Sequence, residues 1–452
     1  MKNAIITVGL GFGDEGKGAT VDFLPRTLHA DLVVRYSGGG QAGHNVELAD
    51  GRRHTFSQFG AGTLAGAGTY LGPRMIISPT TMVPEADHLR SLGVQDPWAT
   101  LTAHPDCLIT TGYHIWMNRL REIARGTGRH GSCGLGIGET RSYWLRYGLD
   151  AVFAKDLSDH DTLTMKLALI RDRFLIEMQE LTRLDSDLSQ QMRGTMPAQE
   201  ADVLQIAAQR LTTSRTLPKS NTVIFEGAQG TLLDEWKGFH PFTTWSTVTP
   251  QHAWELLAVY PEVRTSVIGI TRAYATRHGE GPFPTACARM SSTMVDPGNP
   301  GNDWQGNMRF GPLDMVLTEY AARVCRIDGI FVSGLDQLPA APRIVTEYQQ
   351  FSRLVEPSCL EQQQQLTTQL VTAVPIERRL AIDELLGILA EVAPIVGTAH
   401  GATAGDRELV SPPGCRQDVN RPPRDPDDAR STDLYAPERS PGPLLSCSAI
   451  AN

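Results

Sequence analysis

Short, almost continuous apolar runs recur along the chain and predict its strands. "NAIITVG" and "NTVIFEG" are typical, with many β-branched residues and little alternation of polar with apolar positions. Runs of this kind are characteristic of parallel strands that helices cover on both faces. The predicted strands are residues 3–9, 30–37, 221–227, 265–273, 328–336 and 393–398.

Longer stretches with a helical pattern separate some of these runs, clearest where apolar residues recur on a 3.6-residue period in "RRLAIDELLGILAEVA". The predicted helices are residues 160–185, 200–214 and 378–393. Strands that alternate with helices indicate an α/β fold with a large, mostly parallel central sheet flanked by helices. Two of the helices fall between consecutive strands and predict a mostly helical insertion at about residues 155–218.

The C-terminal segment differs in composition from the rest of the chain. Eight of the 29 prolines fall between residues 411 and 443, among charged and small residues. Such a segment cannot bury enough apolar surface to order itself. We therefore expect one catalytic domain over residues 1–410, followed by a Pro-rich tail over 411–452 that is disordered or wrapped on the surface.

Charge and cysteine content exclude several classes of protein. The net charge of −9 provides no basic footprint for nucleic acid or an anionic membrane. No apolar stretch reaches the roughly 18 residues that suggest a membrane span, and the seven cysteines form no CxxC pair. Zinc knuckles and disulfide frameworks are therefore not encoded. We expect a cytoplasmic protein with no nucleic-acid or membrane partner.

The first predicted strand runs into an unusual glycine-rich loop. "GLGFGDEGKGATVD", from Gly9 to Asp22, fits most of the phosphate-loop pattern G-x-x-x-x-G-K-[ST]. Gly18 stands where that pattern has a serine or threonine for magnesium, and the loop itself carries Asp14 and Glu15. This arrangement indicates chemistry that needs a carboxylate beside a phosphate.

Two more glycine-rich loops follow predicted strands. "SGGGQAGHNV" carries Gln41 and His44, and "FEGAQGTLLD" carries Gln229. The loops that follow parallel strands meet at one edge of an α/β sheet, where such sheets bind ligands. Polar side chains placed among glycines in several of these loops predict a ligand site at that edge.

The segments "GDEGKG", "GGGQAGH", "GLGIG", "FEGAQGTLLD", "YATRHGEGPFPT" and "SGLD" together resemble the signature segments of adenylosuccinate synthetase, in the same order. The resemblance spans roughly residues 3–410. It implies an adenylosuccinate synthetase-like fold and a ligase that uses GTP and Mg²⁺ to join L-aspartate to IMP, giving N6-succinyl-AMP. It also implies a homodimer with shared active sites.

The resemblance assigns roles to individual residues. Asp14 is expected to remove the purine N1 proton and to bind Mg²⁺ together with the carbonyl of Gly43. Lys17 is expected to stabilise charge during phosphoryl transfer, while His44 donates to the phosphoryl oxygen and Gln229 contacts the purine nucleotide. Further residues are expected to bind the nucleotides: Gly13, Glu15, Gly16, Gly18, Gln41, Cys133, Arg146, Thr244, Arg309, Gly334, Asp336, Thr403 and Gly405.

Four of these matches concern particular parts of the nucleotides. Thr244 matches a contact to the monophosphate, and Arg146 matches an arginine that reaches the partner subunit's 5′-phosphate. Asp336 matches a carboxylate that pairs with the N1 and N2 donors of guanine. Residues 402–408 resemble the loop beside the same base.

Departures from the family pattern leave the substrates open. Cys133 replaces a threonine, Gln41 replaces an asparagine, and Leu135 replaces an arginine. Gly334 stands where the family usually has a lysine that contacts the guanine oxygen. Without that donor, discrimination against adenine weakens, so ATP and dATP remain alternatives to GTP.

The expected arginine-rich aspartate loop is absent, and "GNDWQGNMRFGPLD" at 301–314 takes its place. Arg309 is the one arginine of this loop that could bind a carboxylate or a ribose. Asn307 and Gln305 are candidate neutral donors, and Arg277 is a candidate second cation. Such a loop resembles the archaeal and phage branch of the family, part of which uses dGMP.

Asp14 favours a hypoxanthine substrate, because those phage enzymes generally lack this aspartate. Three hypotheses stand: an IMP–aspartate ligase, a ligase of the phage type that uses dGMP or another substrate, and a catalytically silent nucleotide-binding sensor.

Overall fold

The computed structural model describes residues 1–411 except 127–131, 182–183, 295, 297 and 300–305. The fold is given for these residues, which fall within one compact unit. The predicted tail, apart from Ser411, and Gln305 of the 301–314 loop lie outside them.

The strands of the described residues form a central sheet, a smaller mixed sheet and two strand pairs. They are β1 (Asn3–Gly9), β2 (Leu32–Arg35), β3 (His44–Glu47), β4 (Arg53–Phe56), β5 (Gly68–Leu71), β6 (Ile76–Ile77), β7 (Leu101–Ala103), β8 (Leu108–Ile109), β9 (Thr212–Thr213), β10 (Thr222–Gly230), β11 (Arg264–Arg272), β12 (Tyr274–Arg277), β13 (Arg309–Asp314), β14 (Gly329–Ser333), β15 (Arg343–Tyr348), β16 (Pro375–Arg379), β17 (Ile395–Ala399) and β18 (Arg407–Leu409).

The central sheet has the strand order β18-β17-β14-β11-β1-β10-β2-β5-β7-β9. Every neighbouring pair is parallel except β17 and β18 at one edge. Strands β12, β13, β15 and β16 form the smaller mixed sheet. The predicted large, mostly parallel sheet is therefore confirmed.

The helices of the described residues cover the sheet and form the insertion. They are α1 (Lys17–Leu28), α2 (Pro79–Ser91), α3 (Gly112–Arg125), α4 (Ile137–Tyr147), α5 (His160–Met178), α6 (Ser186–Gly194), α7 (Pro197–Ala208), α8 (Gln251–Leu257), α9 (Ala288–Thr293), α10 (Met315–Cys325), α11 (Leu360–Val371) and α12 (Ile382–Val392). Within the described part of the chain, none is both long and apolar enough to cross a membrane.

Successive residues of the central strands enter two separate hydrophobic cores. Ile5 and Val33 pack on one side of the sheet with α1, α2 and α3. Ile6 and Val34 pack on the other side with α8, α10 and α12. Because side chains alternate between the faces of a strand, a sheet buried on both faces needs apolar residues at nearly every position. This explains the continuous apolar runs.

All six predicted strands are present, and the helix boundaries differ from the predictions. The helix predicted at 160–185 ends at Met178, and α6 follows it. The predicted 378–393 helix begins only at Ile382, because residues 375–379 form β16 against β15. The 200–214 helix ends at Ala208, and β9 then pairs with β7. In the last two cases, pairing with a strand distant in sequence overrides the local helical pattern.

Candidate active site

The glycine-rich loops meet at the carboxyl edge of the central sheet. The loop after β1 lies beside the end of β10, where a Cβ added to Gly230 would stand 2.1 Å from the carbonyl oxygen of Gly11. The end of β14 joins them, because the Ser333 hydroxyl donates to the carbonyl of Glu15 at 2.7 Å. The parallel topology thus brings together segments far apart in the sequence.

The phosphate-like loop has backbone angles that favour glycine. Gly13 and Gly16 have φ angles of 96° and 89°, and Asp14 lies between them with φ 61°. A positive φ is uncommon for a residue with a side chain, although aspartate tolerates it better than most. Arg272 Nε donates to the Asp14 carbonyl and holds the backbone in this conformation.

Glu15 organises the interior of this loop. Its carboxylate accepts the backbone N–H groups of Gly11 at 3.0 Å and Gly13 at 2.8 Å, and Lys17 Nζ at 2.5 Å. Glu15 and Lys17 are both 3% exposed. Burial alone raises the pKa of Glu15, but the Lys17 charge and these hydrogen bonds bring it below its ordinary value. Lys17 is therefore held as part of a buried ion pair at the start of α1.

The Asp14 carboxylate differs from that of Glu15 in having no hydrogen-bond donor among the described residues. Burial raises its pKa, Glu15 raises it further, and Arg272 and Lys17 oppose the increase. A carboxylate with few protein partners and a raised pKa accepts a proton more readily than an exposed one. Its position between Glu15 and Arg272 fits the predicted role of base.

His44 begins β3 and packs against the phosphate-like loop, where a Cβ built on Gly18 would lie 2.8 Å from the His44 Cβ. Its Nδ1 pairs with the carboxylate of Glu226, and its Nε2 lies 2.8 Å from the carbonyl oxygen of Ala228. Glu226 is fully buried and also accepts the N–H of Ala61 at 3.0 Å. Burial alone raises the pKa of Glu226, but His44 and Arg35 hold it below its ordinary value. His44 is thus fixed at both ring nitrogens.

Two predicted nucleotide contacts carry buried polar atoms without a partner. The side-chain oxygens of Gln41 and Gln229, and the hydroxyl of Ser37, have no hydrogen bond within the described residues. Buried polar atoms are usually paired. Unpaired polar atoms in the loop after β2 and at the end of β10 fit a site whose partners come from a ligand.

Gly334 and Asp336 follow β14 in a second group, beside the 399–407 segment. Asp336 is exposed. Burial lowers the pKa of Arg407 to about 10, and the negative charge of Asp336 opposes this decrease. Arg407 Nη1 donates to the carbonyls of Ala402 and Thr403. A bridge between Thr403 and Glu47 joins this segment, including the exposed Gly405, to the strand that carries His44.

Arg309 lies in the mixed sheet, and its guanidinium is bonded to backbone carbonyls. Its Nη2 donates to the carbonyls of Gly279 at 2.6 Å and Gly281 at 3.3 Å. Arg277 binds the same turn through the carbonyl of Glu280, at 2.7 Å from Nη2. Burial and the neighbouring Arg309 lower the pKa of Arg277 to about 9. Two cations, both bonded to carbonyls, therefore lie together beside the site.

For three further predicted contacts, the structure shows the following surroundings. Arg146 is exposed on α4, where Nη1 pairs with Glu177 at 2.8 Å. Cys133 is partly buried, and burial raises the pKa of its thiol. The Thr244 N–H donates to the carbonyl of Leu233 at 2.7 Å.

Several residues that sequence reasoning missed join the site. Glu226 is the only acidic residue of the apolar run "NTVIFEG", and this was a signal that could have revealed it. Arg272, Tyr274 and Gln337 gave no such signal. Tertiary contacts connect Arg272 to Asp14, and Gln337 to Tyr274 at 3.0 Å.

Comparison with known proteins agrees with the resemblance seen in the motifs. The family model described as "Adenylosuccinate synthetase" matches residues 6–376. The adenylosuccinate synthetase of Neisseria meningitidis serogroup C / serotype 2a is 30% identical over 351 residues, covering 76% of this chain and 79% of that protein. The Mycobacteroides abscessus protein of the same name is 32% identical over 344 residues, covering 74% and 77%.

Solved structures show the same fold at lower identity. The structure of fully ligated adenylosuccinate synthetase from Plasmodium falciparum has a TM-score of 0.72 at 19% identity and covers 90% of this chain and 99% of that one. Cyanophage S-2L succinoaminodeoxyadenylate synthetase, bound to dGMP and dATP, has a TM-score of 0.57 at 16% identity and covers 96% and 99%. The fold, the signature loops and the family match together place this chain in the adenylosuccinate synthetase family.

Proposed function

We propose that this ligase condenses L-aspartate with IMP, at the expense of GTP, to give N6-succinyl-AMP through a 6-phosphoryl intermediate. The observation that carries the proposal is the position of Asp14. Its carboxylate lies inside the phosphate-like loop, accepts no hydrogen bond from the described residues, and has a raised pKa because of burial. A phosphate-binding loop alone does not require such a group.

The proposed chemistry begins with proton removal from the purine. The 6-oxygen of IMP attacks phosphorus poorly until the base loses its N1 proton, which Asp14 would accept. The γ-phosphoryl group then passes from GTP to the 6-oxygen, and GDP is the leaving group of that transfer. The amine of aspartate attacks C6 and gives up a proton to solvent, the C6–O bond to the phosphorylated oxygen breaks, and phosphate departs. General-base help of this kind contributes about 10²- to 10⁴-fold to a rate.

Lys17 and His44 would stabilise the phosphoryl group during transfer. The Lys17 ammonium has three N–H donors, so it can keep its bond to Glu15 and still donate to a phosphate oxygen. His44 Nε2 faces the carbonyl of Ala228 at 2.8 Å, and a phosphoryl oxygen would replace that acceptor. Fixed donors that face developing charge are a major source of catalysis in such reactions.

Asp14 and the carbonyl of Gly43 would hold Mg²⁺, which when bound neutralises charge on the phosphate oxygens. Among the described residues, no group of three or more His, Cys, Asp or Glu side chains is placed to bind a metal. Magnesium commonly takes only one or two carboxylates and receives its other ligands from phosphates and water. The unpaired carboxylate of Asp14 fits that pattern.

A second candidate is a ligase of the phage type that uses dGMP, with ATP or dATP as the donor. It is favoured by Gly334 in place of the expected lysine, and by the single arginine, Arg309, that remains in the described part of the 301–314 loop. The cyanophage enzyme that shares the fold was solved with dGMP and dATP. Asp14 supports IMP over dGMP, because no 2-amino group has to be accommodated beside it.

A matrix of substrates tests both candidates and the silent-sensor hypothesis. IMP, dIMP, GMP and dGMP would each be combined with GTP, ATP or dATP, together with aspartate and magnesium, and phosphate release and the succinylated product would be measured. IMP with GTP should give the highest specificity constant. A higher constant for dGMP would establish the second candidate, and no phosphate release from any pair would leave only the sensor.

We also infer a cytoplasmic homodimer with shared active sites. Support for the dimer comes from the surface around Arg146, where Leu145 and Leu149 are 52% and 76% exposed. Exposed leucines beside an arginine are suited to a subunit contact.

A further inference from the structure

An aromatic side chain occupies the space into which a residue at position 334 would extend. Gly334 has a φ of +71°, which already disfavours a side chain. A Cβ built there would lie 2.8 Å from Cε1 of Tyr274 and 3.3 Å from its hydroxyl oxygen. A side chain at position 334 therefore cannot supply the polar group that reads the base. The polar group that lies against this position is the hydroxyl of Tyr274.

The hydrogen bonds of Tyr274 have a definite direction. Arg272 Nη1 lies 2.6 Å from the Tyr274 hydroxyl, and a guanidinium can only donate. The hydroxyl accepts from Arg272 and donates its own proton to Gln337, at 3.0 Å. The atom of Gln337 that faces Tyr274 is the acceptor, Oε1.

This hydrogen bond favours one orientation of the Gln337 amide. The two ends of a glutamine amide are distinguished by their hydrogen-bond partners, and here the oxygen is turned towards the protein. The Nε2 group, with its two N–H donors, is then the end left for a ligand. Arg272 is itself held by Asp296 and by the Asp14 carbonyl. The series of hydrogen bonds from Arg272 through Tyr274 to Gln337 therefore starts from a fixed donor.

Gln337 follows Asp336 in the same short turn, next to the loop that contains Arg407. The Asp336 carboxylate can accept from the N1 and N2 donors of guanine, and a neighbouring N–H can donate to its 6-oxygen. Adenine presents a 6-amino group at that place, so two donors would face each other. Adenine would therefore lose the hydrogen bond that guanine makes there and would leave two donors without an acceptor.

We propose that Gln337 distinguishes guanine from adenine in the triphosphate, and that Tyr274 positions its amide for this purpose. The inference rests on the proposed function, and on the match of Asp336 to the carboxylate that pairs with guanine in the family. It extends that function by naming the group that replaces the missing lysine and the base that this group selects.

The test compares the specificity constants for GTP and ATP in the wild type, Gln337→Glu and Tyr274→Phe. Gln337→Glu turns the donor into an acceptor and should lower the GTP-to-ATP ratio by roughly 10- to 100-fold. Tyr274→Phe releases the amide to rotate and should lower the ratio by roughly threefold to tenfold. The Michaelis constant for the monophosphate should stay within about twofold in Tyr274→Phe, which a general structural defect would not allow.

Matched controls are Gln365→Glu, an exposed glutamine on α11, and Tyr260→Phe, a partly buried tyrosine outside the site. Both should keep the wild-type ratio. Thermal unfolding of each variant would show that the comparison concerns folded protein. A ratio within twofold of wild type in both Gln337→Glu and Tyr274→Phe would overturn the proposal, and so would a wild-type enzyme that prefers ATP.

Binding measured without turnover separates this inference from the proposed function. GDP and ADP would compete with a fluorescent guanosine diphosphate, with no monophosphate or aspartate present. A GDP preference that Gln337→Glu abolishes would uphold the inference even if no substrate pair gave product. Equal binding of GDP and ADP, or binding of neither, would overturn it even if the ligase reaction were established.

Discussion

His44 is clamped between the carboxylate of Glu226 at Nδ1 and the carbonyl oxygen of Ala228, 2.8 Å from Nε2. Both partners accept hydrogen bonds, so a hydrogen on each ring nitrogen satisfies both contacts. Glu226 lies fully buried at the midpoint of β10, on the strand that also supplies Gln229. The central sheet therefore positions His44, although the histidine itself belongs to a separate strand pair.

Glu226→Gln should lower kcat by roughly 10- to 100-fold, because a hydrogen bond to a charged partner is replaced by a neutral one. Steady-state kinetics would measure this, with the Michaelis constant for the triphosphate expected to change little. Glu200→Gln is a matched control, since Glu200 is also buried but accepts the N–H of Gly112 at 2.6 Å. A variant that is destabilised but keeps the wild-type kcat would show that Glu226 is purely structural.

Asp14→Asn should leave the fold intact and reduce turnover by at least about 10²-fold, the usual scale for losing a general base. The amide keeps the size of the side chain but cannot accept the N1 proton. Circular dichroism and single-turnover phosphate release would separate folding from chemistry. Near wild-type turnover with any 6-oxopurine nucleotide would remove Asp14 from the mechanism.

Gly334→Lys should not restore the lysine contact of the family. The positive φ and the Tyr274 ring at 2.8 Å oppose any side chain, and we expect a loss of about 1–3 kcal/mol in the free energy of unfolding. Urea titration measures this, and Gly334→Ala separates the backbone effect from the added charge. A fully stable lysine variant with tighter GTP binding would contradict the steric account.

Buried histidines should make the fold sensitive to acid. Burial lowers the pKa of His54 to about 4 and those of His114 and His252 to about 3, from an ordinary value near 6.5. These groups stay neutral in the folded state and take up protons on unfolding. Stability should therefore be lost progressively as pH falls from about 6.5 through the folded pKa values.

His252→Gln should reduce that slope by about 1.4 kcal/mol per pH unit between roughly pH 6 and 4, because one fewer proton is bound on unfolding. Urea unfolding at several pH values provides the measurement. His400→Gln changes an exposed histidine and serves as the control. Equal slopes in the wild type and His252→Gln would show that His252 does not contribute to acid sensitivity.

Shared active sites predict complementation between defective subunits. Arg146→Ala and Lys17→Ala proteins should each be weak, and a mixture should regain activity in heterodimers that contain one intact site. Activity assays of the unfolded and co-refolded mixture would test this, with each protein refolded alone as the control. A mixture no more active than the sum of its components would refute sharing.

The sequence alone determined the class of sheet, the position of its main strands and the loops at its carboxyl edge. Continuous apolar runs leave few alternatives to strands buried on both faces, and the glycine-rich segments predicted Asp14, Lys17 and His44 as neighbours. These features are local, so the pattern of neighbouring residues is enough to specify them.

Only the tertiary structure decided which groups act on those residues. The Glu226–His44 pair joins positions 182 residues apart, and the bond from Arg272 to Asp14 joins positions 258 apart. The Tyr274 hydroxyl likewise joins Arg272 to Gln337, which no local pattern links. Such contacts arise because parallel strands distant in sequence end side by side, and their registers are fixed by packing across the whole sheet.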